Sequence, residues 1–318
     1  MTSKKPIISI ITPCFNEEKS IENCLSAVQE VFEKHLPEYE YEHIFCDNAS
    51  DDKTVKILKS HAQKNSRIKV IVNSRNYGPF RSMFNGLRRA SGGAVLPFLP
   101  ADLQDPPTLI PEMIKLWESG YEIVAGKRET RAEPLPLRFA RNIFYRLLNW
   151  MSDFDVPHGV GEFQLLDRKV VDAVLGYESQ YPFLRTMIAS VGYKRVILPY
   201  HWDKRAHGKS RLSVFNLVDQ AMTGFFSFNS KPLRMSIWMG FLIAVLCLAY
   251  GVYVAFIAIF GLASPPEGIF TLIMSVMFLF GVQLIFFGVL GEYISQIHRD
   301  VRGGKVVYEK EIINFDQD

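Results

Sequence analysis

The carboxylates of the stretch FLPADLQDPP, residues 98–107, are the first candidates for chemistry in this chain. An apolar run reaches Pro100, and Asp102 and Asp105 follow it. Two carboxylates at the end of a predicted strand are typical of either a turn or a metal site. The two prolines after Asp105 favour an extended backbone or a turn. We therefore expect Asp105 to fix that turn, and for Asp102 both interpretations stay open.

Polar segments follow the other predicted strands as well. TPCFNEE ends the first apolar run, CDNASDDKT the second, NSRNYG the third and GKRETR the fifth. Ligands of parallel α/β sheets bind at the carboxyl ends of the strands, so these groups should converge on one edge. Acidic, amide and basic groups together suit a nucleoside diphosphate and its metal. The absence of GxGxxG and of a Walker-type lysine motif disfavours dinucleotide and P-loop sites.

Any one of these segments alone is more often a turn or a helix cap than a binding site. Asp47, for example, could simply cap the helix predicted after the second strand. The functional interpretation therefore rests on the coincidence of all five segments at one edge of the sheet.

Strand and helix signals alternate over the first two thirds of the chain. Short apolar runs rich in β-branched residues predict strands at residues 7–13, 41–47, 67–73, 94–100 and 121–126. Apolar residues at helical spacing predict helices at 17–35, 52–64, 78–93 and 107–120. Strands buried on both faces, with a helix between each pair, predict a Rossmann-like, mostly parallel α/β sheet.

The last third of the chain has a different composition. Residues 235–266 contain no charged residue, and residues 268–291 again contain none. Each run is longer than the ~20 residues that span a bilayer as a helix. A pair of buried core helices is the alternative, but such helices rarely lack a polar face over this length. We therefore predict a transmembrane helical hairpin.

The basic residues around these runs indicate an orientation. Lys231 and Arg234 precede the first run, the second is followed by His298, Arg299, Arg302 and Lys305, and the connecting loop has no Lys or Arg. The positive-inside rule then places the soluble domain in the cytoplasm, on a multi-pass protein of the cell membrane.

Charge and cysteine content exclude some classes of protein. The net charge is only +3, so bulk charge does not argue for nucleic acid as a partner. The four cysteines show no paired spacing of the metal or disulfide type. They suit small buried side chains in a reducing compartment.

With these motifs in place, the chain resembles the inverting family-2 glycosyltransferases of the type A fold. It is most similar to the membrane-anchored polyprenyl-phosphate glycosyltransferases, such as bactoprenol glucosyltransferases and dolichol-phosphate mannose synthase. The segments that carry the resemblance are TPCFNEE, DNASDDKT, SRNYG, PADLQDPP, GEFQLLDRKVV and LGEYISQIHRDVR, and they extend over nearly the whole chain.

The resemblance implies a nucleotide sugar, expected to be a UDP-sugar, bound at the sheet edge. Asp102 is implied to hold Mg²⁺ or Mn²⁺, and Glu162 and Asp155 are further catalytic candidates. The implied donor-binding residues are Pro13, Phe15, Asn16, Glu17, Asp47, Asn48, Ser50, Asn76, Gly78, Asp102, Gln104 and Arg128. At two positions the chain departs from the family, which usually has aspartate where Asn48 and Pro100 stand. Proline cannot ligate a metal through its side chain.

The implied acceptor is a polyprenyl phosphate. A basic segment around Gly208 resembles a family segment that closes over the diphosphate, and its phosphate-binding candidates are Arg205, Lys209, Ser210 and Arg211. A patch that contacts solvent or lipid headgroups would have the same composition. Segments 136–151 and 212–229 are amphipathic, so they could bring the site to the headgroup plane.

These expectations divide the chain into four parts. They are a catalytic domain at 1–210, an amphipathic interfacial segment at 211–234, a transmembrane hairpin at 235–298 and a cytoplasmic tail at 299–318. We also expect a homo-oligomer. Two alternatives stay open: a sugar-nucleotide nucleotidyltransferase, and a non-catalytic membrane scaffold or flippase subunit. The first lacks its glycine-rich, lysine-bearing loop, and the spans lack the internal charge that marks a transport path.

Overall fold

The computed structural model describes residues 5–129, 154–177, 182–201, 231–260 and 268–315, together with residues 139, 143, 146, 147, 149, 150, 152, 179 and 180. These residues fall into two compact units, of which the first carries the sheet and the second the long apolar helices. Residues 303–315, after the last helix, belong to the first unit.

The first unit is built on one eight-stranded sheet. Its strands are β1 (Ile7–Cys14), β2 (Glu40–Asp47), β3 (Ile68–Asn73), β4 (Ala94–Leu96), β5 (Ile123–Arg128), β6 (Val160–Asp167), β7 (Arg195–Tyr200) and β8 (Glu309–Ile313). They lie in the order β7-β5-β6-β4-β1-β2-β3-β8. Strands β6 and β8 run antiparallel to their neighbours, and the other pairs are parallel. The predicted mostly parallel α/β sheet is confirmed.

Helices cover both faces of the sheet. They are α1 (Ile21–His35), α2 (Thr54–Lys64), α3 (Pro79–Arg89), α4 (Ile110–Glu118), α5 (Arg168–Leu175) and α6 (Leu184–Ser190), with a 3-10 turn at Pro107–Leu109. The core between the sheet and helices α1, α2 and α4 is made of apolar side chains from alternate strand positions, such as Ile8, Ile10 and Phe45. Helices α3, α5 and α6 form the second layer, with α3 packed on β1 and β2.

The four predicted helices and five predicted strands are present, and most of their ends differ from the prediction by one to four residues. The fourth strand was expected over residues 94–100, but its ladder stops at Leu96 because prolines at 97 and 100 remove backbone donors. The backbone still follows β1, since the N–H of Leu99 donates to the carbonyl of Ile11 at 2.8 Å.

The second unit contains α7 (Lys231–Phe260) and α8 (Ile269–Val301). Within them, Leu233–Tyr253 and Ser275–Val301 are long and apolar enough to cross a membrane, with mean hydropathies of 2.1 and 1.8. Their large apolar side chains, such as Trp238, Ile259, Leu284 and Phe287, are mostly exposed. Side chains of this kind are stable in contact with lipid and costly in contact with water.

Candidate functional site

One edge of the sheet gathers most of the residues selected from the sequence. Strands β1 to β5 and β7 all end there, and the antiparallel strand β6 begins there, since Lys127 near the end of β5 pairs with Val160. The register that pairs Cys14 with Asp47 brings the polar segments after β1 and β2 side by side. The predicted convergence of these segments on one edge is confirmed.

The loops after β1 and β2 are held together by reciprocal hydrogen bonds. The N–H of Asn16 donates to the hydroxyl of Ser50 at 2.9 Å, and the N–H of Asp51 donates to Asn16 Oδ1 at 2.9 Å. The N–H of Glu17 donates to Thr54 Oγ1 at 2.9 Å. Asn16 has φ of 58°, a left-handed conformation that asparagine tolerates better than most residues. Three predicted donor-site residues, Asn16, Glu17 and Ser50, therefore form one rigid double loop.

Asp47 is fully buried at the end of β2 and binds the turn that follows. Its carboxylate accepts the N–H of Ser50 at 2.9 Å and also the Ser50 hydroxyl. Burial raises the pKa of Asp47, and the hydrogen bonds from Ser50 oppose that rise. Asp52, rather than Asp47, accepts the N–H of Thr54 at the start of α2. The alternative in which Asp47 merely caps that helix is therefore wrong.

Asn48, which stands where the family usually has aspartate, connects β2 to the loop after β3. It is almost completely buried, and its Oδ1 accepts Asn73 Nδ2 at 3.0 Å and the N–H of Tyr77 at 3.3 Å. Asn76 closes the same loop, because its Oδ1 accepts the N–H of Gly78 at 2.8 Å. Gly78 has φ of 82°, a conformation that favours glycine, and α3 begins directly after it.

Asp102 lies in a tight turn whose first residue is Pro100. The N–H of Leu103 donates to the carbonyl of Pro100 at 3.0 Å, and Leu103 itself has φ of 55°. Asp102 is half-buried and accepts the N–H of Gln104 at 3.3 Å. Burial raises the pKa of the Cys24 thiol to about 12, with smaller contributions from Asp102 and Glu17. Asp102 and the loop after β1 therefore both lie near the first helix.

Asp105 has a larger structural role than the sequence predicted. It is fully buried, and Arg128 at the end of β5 donates Nε and Nη2 to its two oxygens at 3.0 and 2.7 Å. The hydroxyl of Tyr200, at the end of β7, donates to the same carboxylate. Burial raises the pKa of Tyr200, and the charge of Asp105 adds to this, so the phenol stays a donor. Asp105 thus joins the Asp102 turn to the ends of two strands.

The same contacts change the interpretation of Arg128. The sequence suggested that it binds the donor, whereas its guanidinium lies against Asp105 and Tyr200 in a half-buried position. The predicted donor contact of Arg128 stays a prediction, but the structure gives its charge a partner within the protein.

Glu162 and Asp155 have separate partners. Glu162, at the start of β6, accepts Arg185 Nη2 of α6 at 2.8 Å. Asp155 is exposed and accepts Asn149 Nδ2 at 3.2 Å. Arg185 and Tyr200 were not selected from the sequence. Each stands in a mostly apolar stretch of sequence and belongs to no motif. They come to the site edge only when the chain folds.

The structure gives no geometry for the predicted phosphate-binding segment or for a complete metal site. Arg205, Lys209, Ser210 and Arg211 lie outside the described residues. Within the described part of the chain, no three His, Cys, Asp or Glu side chains are grouped so as to hold a metal ion.

Two family models match the chain. "Glycosyl transferase family 2" matches residues 9–175, and "GtrB C-terminal hairpin" matches residues 231–297. The first covers the strands and loops of the site edge up to α5, and the second covers most of α7 and α8.

Individual proteins are similar to the chain over most of its length. An SfII prophage-derived bactoprenol glucosyl transferase of Shigella flexneri is 34% identical, over 93% of this chain and 94% of its own. An uncharacterized glycosyltransferase of Synechocystis is 35% identical, over 93% of this chain and 92% of its own. A solved mannosyltransferase of Pyrobaculum calidifontis, in complex with GDP-Man and Mn²⁺, is 16% identical with a TM-score of 0.48, over 94% of this chain and 88% of its own.

The family match extends over more than half of the chain, and relatives above 30% identity cover nearly all of it. The expected type A fold and transferase activity agree with both. The chain therefore belongs to glycosyl transferase family 2 and is a glycosyltransferase with a GtrB-type C-terminal hairpin.

Proposed function

We propose that the chain transfers a sugar from a nucleoside diphosphate sugar, expected to be a UDP-sugar, to a polyprenyl phosphate at the cytoplasmic face of the membrane. The observation that carries this proposal is the presence in one chain of a polar edge on a family-2 sheet and two helices of membrane-spanning length. Relatives that are 34% identical over 93% of this chain and 94% of their own bear the name bactoprenol glucosyl transferase.

The double loop after β1 and β2 suits the nucleoside part of the donor. Its backbone is fixed by hydrogen bonds from Asn16 to Ser50, from Glu17 to Thr54 and from Asp51 to Asn16, so little ordering is required when a ligand binds. Asp47 has its oxygens oriented by Ser50 before any ligand arrives. Preorganised polar groups of this kind fix the orientation of a small molecule in a site.

A divalent ion fits this edge only together with the donor. Mg²⁺ is usually bound through one or two carboxylates plus substrate phosphates, and Asp102 is a half-buried carboxylate in a turn at the edge. Asp102 would hold the ion, and Gln104 lies two residues away in the same turn. When bound, Mg²⁺ or Mn²⁺ would neutralise charge on the leaving diphosphate as a Lewis acid.

The transfer itself requires no strong general base. A phosphate monoester has a second pKa near 6, so the lipid phosphate is already largely anionic at neutral pH. One of its oxygens attacks the anomeric carbon as the bond from that carbon to the diphosphate breaks. The nucleoside diphosphate leaves, and the configuration at the anomeric carbon is inverted. Glu162, held by Arg185, is proposed to orient the acceptor.

Exposed apolar side chains support a membrane location for the acceptor site. Phe139, Ile143, Leu147 and Trp150 are helical, are spaced by three or four residues and are 43–68% exposed. Their spacing puts them on one helix face. We propose that this face lies in the headgroup region, and that Arg205, Lys209, Ser210 and Arg211 bind phosphate there. The cytoplasmic orientation and the homo-oligomer stay predictions.

The test is a transfer assay with membranes that contain the protein. They would be incubated with polyprenyl phosphate and a panel of radiolabelled nucleotide sugars. Label that moves to the organic phase with one donor supports the proposal. Label that enters a nucleotide sugar from a sugar phosphate indicates a nucleotidyltransferase, and no transfer from any donor indicates a scaffold or flippase subunit. Either of the last two results contradicts the proposal.

A further inference from the structure

The C-terminal tail, residues 303–315, completes the sheet beside the site edge. Gly303 and Gly304 follow α8 with φ of 64° and 97°, left-handed values that turn the chain sharply. Val306 and Val307 are then buried, and β8 pairs antiparallel with β3. Because Glu309 pairs with Asn73, the last residue of β3, the tail enters the sheet at the edge where the donor is proposed to bind.

The tail contacts the loop after β3 directly. In this donor loop, residues 74–78, the N–H of Ser74 donates to the carbonyl of Tyr308 at 2.9 Å. The Tyr77 hydroxyl lies 3.0 Å from the Ser74 hydroxyl. Burial acts to raise the pKa of Tyr77, but the Ser74 side chain and the backbone amide of Tyr308 lower it overall. Arg75 stacks on the Tyr77 ring, with its guanidinium carbon 4.0 Å from the ring centroid. Tyr77 is therefore fixed at its hydroxyl and on its ring.

The tail also holds the helix that follows the donor loop. Glu309 accepts Arg89 Nε and Nη2 at 2.8 and 2.6 Å, and Asn85 Nδ2 at 2.8 Å. Arg89 and Asn85 belong to the end of α3, which starts at Pro79 directly after the loop. The Glu309 side chain is only 19% exposed, so this bidentate pair is partly shielded from solvent.

We infer that the tail is a positioning element of the donor site, with Tyr308 and Glu309 setting the conformation of the donor loop. The inference rests on the proposed function, because it assigns the donor loop, with Asn76 and Gly78, to nucleotide binding. The donor loop has one end on β3 and the other on α3, and the tail binds both. Loss of the tail contacts should release the loop without altering Asp102 or the loops after β1 and β2.

The test compares two glutamates on the same strand. Glu309→Gln keeps the size of the side chain and removes the charge that faces Arg89 and Asn85. Glu311→Gln is the matched control, because Glu311 pairs with Lys59 of α2, where both side chains are about two fifths exposed. Tyr77→Phe is a second variant, which removes only the hydroxyl beside Ser74, the residue whose N–H binds Tyr308. All three should insert into membranes as the wild type does.

Two measurements separate positioning from general stability. Hydrogen–deuterium exchange of the 74–78 amides should become faster in Glu309→Gln and Tyr77→Phe, while that of residues 44–47 in β2 stays unchanged. Binding of a panel of nucleoside diphosphates, with UDP as the first probe, should weaken about fivefold to tenfold, the scale of losing one ordinary hydrogen bond. The KM for lipid phosphate and the values for Glu311→Gln should not change.

Three results would overturn the inference. Donor-loop exchange that is unchanged in both variants would show that the tail does not hold the loop. Faster exchange with unchanged nucleotide affinity would show that the loop does not serve the donor. If the wild type binds no nucleoside diphosphate at all, the proposed function fails, and the donor-site role of the tail fails with it.

Discussion

Asp102 and Asp105 are three residues apart and have different roles. Asp102 is half-buried at the sheet edge, whereas Asp105 is fully buried against the guanidinium of Arg128. A turn residue at Asp105 and a metal-holding Asp102, as expected from the sequence, predict a smaller loss of transfer for Asp105→Asn than for Asp102→Asn. For stability we now expect the reverse, because Asp105→Asn leaves the half-buried Arg128 without its counter-charge. Removing one member of a buried ion pair typically costs about 3–5 kcal/mol.

Chemical unfolding of the purified protein measures this difference. Asp105→Asn should lower the free energy of unfolding by several times more than Asp102→Asn does. Asp51→Asn is the control, since Asp51 is exposed on the same edge of the sheet. Equal stability of Asp105→Asn and the wild type would mean that the cluster of Asp105, Arg128 and Tyr200 contributes little to the fold.

His43 predicts how stability depends on pH. It is buried in the middle of β2 beside Thr12, and burial lowers its pKa from 6.5 to about 3. The unfolded chain therefore binds a proton in a pH range where the folded chain does not, so stability falls as pH drops below about 6.5. In His43→Gln, the fall between pH 6.5 and 4.5 should be smaller. Urea midpoints at several pH values measure it, and identical slopes in both proteins would contradict the assignment.

At the scale of elements, the sequence predicted the parts with a strong local pattern. Strands β1 to β5 are apolar runs and α1 to α4 are amphipathic, so each can be read without knowledge of its neighbours. Strand β8, EKEII, is not of this kind, because three of its five residues are charged and its pairing with β3 spans most of the chain. The contacts of Asp105 with Arg128 and Tyr200 likewise depend on sheet order.

Helix α3 shows how tightly one element can be fixed on the sheet. A Cβ at Gly86 would lie 2.7 Å from Cys46 Sγ and 2.8 Å from Ile11 Cγ2, which is closer than atoms pack. Gly86→Ala should therefore destabilise the protein by about 1–3 kcal/mol, in spite of the better helix propensity of alanine. Gly161→Ala is the control, because nothing lies within 4 Å of its Cβ position. A Gly86→Ala protein as stable as the control would mean that α3 can shift.

At the scale of the whole molecule, the hairpin was the most accessible feature from sequence. Its composition alone gives two uncharged runs, which the helices α7 and α8 contain in large part. The orientation of the hairpin in the membrane is indicated only by the Lys and Arg residues that flank the two runs. The candidate site is much harder to predict from the sequence, because its residues come from many segments and meet only when the sheet forms.

Labelling in intact cells tests the proposed orientation. With Cys247 replaced, a cysteine at Ser264, which comes between α7 and α8 in the sequence, should react with an impermeant thiol reagent. A cysteine at Lys56, which is exposed on α2, should react only after the membrane is permeabilised. The three remaining native cysteines are buried and should contribute little background. Labelling of the Lys56 site in intact cells would reverse the orientation.

The initial rate of lipid-linked sugar formation, measured against Mg²⁺ or Mn²⁺ concentration for wild type and Asp102→Asn, tests the central claim most directly. Asp102→Asn keeps the size of the side chain and removes the charge that attracts the ion. The account predicts that chelator abolishes transfer and that Asp102→Asn lowers the rate by about two orders of magnitude, the scale of losing one electrostatic contact to a developing charge. Transfer that survives chelation, or an Asp102→Asn protein with normal metal dependence, would contradict it.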